Sequence, residues 1–197
     1  MVHKQLLTSH SLFFRKALSG TWVEAKERKV KLPEDNQDTF SVYVNLLYTN
    51  QITVGPSSSK DSGVTTKDAA RDELEILVNL YVLAEKLRDV KTKNKALVAI
   101  LASSKEVRSD KHTYAPGQSI ITKIYAGTGP GSALRRLVVD LWTADGVASY
   151  LQPGAAYPTE FLHEVIVSLM DRRARVPDLI DQDNLAPYME PEEPQIP

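Results

Sequence analysis

Val2-His3-Lys4-Gln5-Leu6-Leu7, Ser9-His10-Ser11-Leu12-Phe13-Phe14, Trp22-Val23-Glu24 and Val30-Lys31-Leu32-Pro33-Glu34-Asp35 follow one another at the head of this 197-residue chain. Ser11 is placed to accept hydrogen bonds from the free amides of a following turn, so residues 12–18 read as a short helix closed by Gly20. Phe13, Phe14 and Leu18 would anchor it to the core. Lys29-Val30-Lys31-Leu32 alternates polar and apolar residues with the period of a half-buried strand, and Pro33 ends it. Trp22 falls between the two, either a plug on the core or an exposed anchor, since tryptophan is enriched among residues that dominate interfaces.

Beyond this block helical spacing takes over. Phe40, Tyr43, Val44, Leu47 and Tyr48 mark one face of a helix begun near Asn36 or Asp38, and Gln51-Ile52-Thr53-Val54 predicts a second brief strand. Residues 55–72 read as a mobile polar insertion. From Glu73 to Leu87 two apolar sets overlap, Leu74-Leu77-Val78-Tyr81-Ala84 and Ile76-Leu80-Leu83-Leu87, which places this helix at the centre of the core. Asp89 interrupts, and Val90, Asn94, Leu97 and Leu101 predict a helix packed back against it. Ile120, Ile121, Ile124 and Tyr125 follow, then a turn at Gly127-Thr128-Gly129-Pro130-Gly131 with Ser132 as N-cap, then a helix carrying Leu134, Leu137, Val138, Leu141 and Trp142. Arg135 and Arg136 are expected on or beside its other side. A last helix carries Phe161, Leu162, Val165, Ile166, Leu169 and Met170. The expected fold class is α+β, predominantly helical, a helical cluster with a small residual sheet.

Composition excludes more than it selects. A formal net charge of -1 supplies no cationic excess, so neither nucleic acid nor an anionic membrane is expected as a partner. The chain has no cysteine, hence no disulfide, thiolate nucleophile or thiolate metal site. No apolar run reaches the roughly 18–20 residues of a membrane span, and cytoplasm or nucleus is the expected address. The glycine-rich turn follows a helix and lacks the Lys-Ser or Lys-Thr of a phosphate-binding loop. His3, His10, His112 and His163 have no ligand-spaced partners, and no catalytic motif is present. No enzyme activity, cofactor, metal or small-molecule substrate is expected, an enzyme with an unfamiliar helical site remaining the remote alternative.

Over residues 2–87 the pattern resembles the BTB/POZ domain family: the Val2-His3-Lys4 opening, Ser11-Leu12-Phe13-Phe14, Trp22-Val23-Glu24, Leu32-Pro33-Glu34-Asp35, Phe40 through Tyr48-Thr49, and Leu80-Tyr81-Val82-Leu83-Ala84-Glu85-Lys86-Leu87. Ile124-Tyr125, Thr128 and Leu134-Arg135-Arg136-Leu137-Val138-Val139-Asp140 are similar to the helical extension of filamentous-fungal members. The resemblance divides the chain into a BTB/POZ-like domain at 1–103, truncated at the N-terminus relative to the family and lacking its first strand hairpin, and an extension at 117–173; the proline-rich acidic stretch at 174–197 holds little to bury and reads from its composition as a disordered tail. It implies a protein-interaction module without substrate turnover. Two roles stay open: an adaptor for a cullin-based ubiquitin ligase, or a self-associating scaffold or transcription-related protein whose partner is another BTB chain. It also implies the site residues, Trp22 and Glu24 on the docking surface, Tyr48 in the helix flanking it, and Lys4 at the family's charged-pocket position.

Overall fold

A computed structural model describes residues 2–53, 65–151 and 154–173. Its helices are α1 (Lys4–His10), α2 (Leu12–Ala17), α3 (Val23–Glu27), α4 (Gln37–Thr49), α5 (Thr66–Lys86), α6 (Val90–Lys105), α7 (Gln118–Gly127), α8 (Ala133–Asp145) and α9 (Thr159–Arg172), with a 3-10 turn at Ala148–Tyr150. The expected tail at 174–197 and most of the expected insertion, residues 54–64, lie outside the described residues.

The fold is helical, which corrects the α+β expectation: among the described residues there is no strand and no residual sheet. A strand needs a neighbour to take its N–H and C=O groups. Residues 29–32 keep their alternation, Lys29 and Lys31 exposed and Val30 and Leu32 half-buried, but no described segment pairs with them. At 51–53 the backbone is engaged locally. The Thr49 hydroxyl donates to the Gln51 carbonyl and accepts from the Gln51 amide, taking both groups a ladder would use. Val54 lies outside the described residues.

Side-chain caps set several helix starts. Ser11 accepts from the Phe14 amide at 3.1 Å, and its own hydroxyl donates to the Leu87 carbonyl at 2.6 Å, so α2 is bolted to the end of α5. Thr65 opens α5 by accepting from the Asp68 amide while donating to the Asp68 carboxylate. This N-cap starts α5 at Thr66 rather than Glu73, drawing residues 66–72 out of the expected insertion and into helix. Asp89 caps α6 through the Thr92 amide and hydroxyl.

Every residue of the two overlapping apolar sets on α5 is buried except half-buried Ile76, so α5 runs through the middle of the molecule. The α6 expectation held for existence but not for face. Thr92, Ala96, Ile100, Ser103 and Ser104 are its buried residues, while Val90 and Leu101 are exposed. Small residues bring two helix backbones close together, and that outweighed side-chain hydrophobicity here. Arg135 is likewise buried against expectation. It donates to the Tyr125 and Thr128 carbonyls at the end of α7 and stacks over the Tyr125 ring, while Arg136 stays exposed. One apolar core runs without a break from Leu7, Phe14 and Tyr43 through α5 to Ile124, Val138 and Phe161. The glycine at 127 serves this continuity, since a Cβ there would lie 2.6 Å from Val82 Cγ1 on α5.

Candidate interaction surface

The N-terminal quarter of the chain builds two grooves that share one wall. Gly20, at φ 78°, makes the reversal after α2 that a side chain would strain. The chain then enters α3, a five-residue helix between the expected helix and the expected strand. Its signal was present in Glu24-Ala25-Lys26-Glu27, good helix formers too few to show a period. Arg28, at φ 53°, ends α3 in the left-handed conformation and turns the chain into residues 29–32. The next corner is held from α5, where the Lys86 ammonium reaches Asp35 at 2.8 Å and Glu34 at 3.7 Å. These carboxylates, Asp35 first, push the Lys86 ammonium above its ordinary pKa.

The first groove, of about 900 Å³, has Leu12, Phe13, Ala17 and Val30 along it and α3 on its rim. Trp22 is 68% exposed and Val23 61% exposed, and both line this groove together with half-buried Glu24. Trp22 is thus no plug on the core. The second groove, of about 1070 Å³, lies on the other side of residues 29–30 and is lined by Leu7, Phe14, Leu18, Leu32 and Phe40. Lys4 belongs to this second groove and makes no ion pair among the described residues.

Tyr48 lines neither groove and is turned to the start of α1. Its hydroxyl is 2.6 Å from His3 Nδ1 and accepts from the His3 amide at 3.2 Å. The structure therefore brings Trp22 and Glu24 together, sets Lys4 across the shared wall, and leaves Tyr48 as a tether of the N-terminal segment. Among the described residues no cluster of three or more His, Asp or Glu is arranged to hold a metal ion. No helix among them is long and apolar enough to cross a membrane.

No protein-family model matches the chain, and no curated protein and no solved structure matches it either.

Proposed function

We propose that the chain is a protein-interaction module of the BTB/POZ type that works in the cytoplasm or nucleus without turning over a substrate, and that it docks on a cullin scaffold through α3. The observation that carries this reading is the tip of α3, where an indole and a valine stand in solvent beside an apolar groove. Burying a tryptophan at an interface releases water from a large rigid surface at small entropic cost, and such residues dominate binding. Glu24 beside it adds a directional charge. The sheet of the family is the part of the resemblance that the described residues do not carry, so the reading rests on the helical half of the motif.

The test is capture of purified cullin scaffold on the immobilised full-length chain. Wild type is expected to retain it, and Trp22→Ala with Glu24→Ala to weaken retention by at least about tenfold, the loss of about 1.4 kcal/mol or more that an anchor residue supplies. A wild-type chain that captures no cullin overturns the adaptor role. Self-association has one observation in its favour, the face of α9 on which Ile166, Leu169 and Met170 are exposed at helical spacing. Light scattering on the same preparations separates the two roles, because a mass that rises with concentration belongs to the scaffold and a constant monomer mass does not.

A further inference from the structure

We infer that residues 29–32 form a strand-addition site, and that its occupant is an extended, acidic segment of a partner protein lying in the second groove. The inference rests on the interaction-module reading above and uses a different face from α3. The backbone argues for a strand. Residues 29–32 alternate in exposure as a strand does, yet the amides of Val30 and Lys31 donate to nothing among the described residues, and the carbonyls of Lys29, Val30 and Lys31 accept nothing. An unpaired edge of this kind is completed by the main chain of another strand, whose hydrogen bonds do not depend on its sequence.

The side chains argue for where that strand lies and what it carries. On the second groove's side, Phe14, Leu18, Leu32 and Phe40 offer an apolar floor for every other residue of an added strand. Its rim holds Lys4, Arg28 and Lys29, and none of these three makes an ion pair among the described residues. The one carboxylate lining this groove among the described residues, Asp35, is already held by Lys86. The first groove is cationic too, with Lys16, Lys29, Lys31 and Arg88, but it also presents Glu24 and Glu27, which make no ion pair among the described residues and would repel an acidic strand. Electrostatic complementarity therefore selects acids on the outward positions of the incoming strand and the second groove as its bed.

Fluorescence anisotropy with a labelled peptide of alternating valine and glutamate tests this on the full-length chain. Binding is expected at or below about 1 mM. The same peptide with lysine for glutamate, or with alternate backbone amides methylated, is expected to bind at least about tenfold more weakly. Lys4→Glu with Lys29→Glu should lower affinity for the acidic peptide by a similar factor, and melting curves of this exposed-site variant should match wild type. No binding up to about 1 mM, or equal binding of the methylated peptide, overturns the proposal; the second result would mean general attraction of a polyanion. The arms are separable from the α3 test. Trp22→Ala with Glu24→Ala should leave peptide binding intact, and a chain that captures cullin but ignores the peptide retains the docking role and loses the strand site.

Discussion

Asp89→Ala is expected to lower the unfolding free energy by about 3 kcal/mol, in urea or thermal melts followed by circular dichroism. Asp89 is fully buried, with three donors on its carboxylate: Tyr43 Oη at 3.1 Å, the Thr92 amide at 3.0 Å and Thr92 Oγ1 at 2.8 Å. Alanine removes the N-cap of α6, a loss of about 1 kcal/mol. It also strands the hydroxyl of Tyr43, whose side chain is fully buried, and an orphaned donor of that kind costs about 1–3 kcal/mol. For a chain of this size the melting temperature should fall by about 10 °C. Asp89→Asn keeps one acceptor oxygen, enough for the Tyr43 and Thr92 hydroxyls or for the Thr92 amide but not for all three, and should lose about half as much. A drop below about 1 kcal/mol for the alanine variant would mean that Asp89 does no more than cap the helix. The same contact sets an alkaline limit. Burial first, and the Asp89 charge second, push the Tyr43 phenol well above its ordinary value of 10. Below pH 10 the residue is neutral folded or unfolded and its contribution is intact. Above it the unfolded chain ionises and the folded chain does not, so stability should fall as pH rises, and less steeply in Tyr43→Phe.

What could be read from the sequence followed how local the cause was. Ser11 caps α2 through a hydroxyl three residues from its amide partner, and the apolar sets of α5 repeat from Leu74 to Leu87, so both were visible in the letters, while the polar first turns of α5 at 66–72 were not. The strand expected at 29–32 was not decided locally, because alternation says that a segment can pair and only the rest of the fold says whether a partner is there, whereas the one expected at 51–54 is pre-empted at Gln51 by the Thr49 hydroxyl. On α6 the largest apolar residues suggested the buried face, yet Ala96, Ser103 and Ser104 lie inward, where size matters more than hydrophobicity. Arg135 was hidden for a related reason. Its charge suggested solvent, and only the carbonyls at the end of α7, ten and seven residues away in sequence, make burial tolerable. At the candidate surface, resemblance pointed to Trp22, Glu24, Tyr48 and Lys4 as a set. Their distribution over a rim, a second groove and a tether depends on how α1 to α4 pack, which no single motif states.

The continuity of the core makes a strong prediction about the chain's division. A fragment ending at Lys105 is expected not to fold, although it contains the whole stretch that resembles BTB/POZ. Removing α7 to α9 takes away Ile120, Ile121, Ile124, Leu134, Val138 and Phe161, each at most 2% exposed and all in one cluster with Leu77, Val78 and Tyr81 of α5. Each such side chain contributes about 1.5–3 kcal/mol on burial, so the six together match or exceed the 5–15 kcal/mol by which a domain is usually stable. Polar ties would be lost as well: Tyr81 Oη lies 3.2 Å from Ser132 Oγ, and Lys123 reaches Glu75 at 2.6 Å. The fragment should show no cooperative melting transition, and the full chain one. Phe161→Ala gives a second route to the same point in a chain that keeps every helix. Its ring contacts Tyr125, Trp142 and Tyr157 with centroids 5.2–5.8 Å apart, so truncation should cost about 3–5 kcal/mol. If the core is one unit, that loss moves the entire transition as a single step, including any signal from Trp22 at the far end. Two separated transitions, or a fragment that melts cooperatively on its own, would mean that α5 is shared in space but not in stability, and that the chain divides between residues 103 and 117 after all.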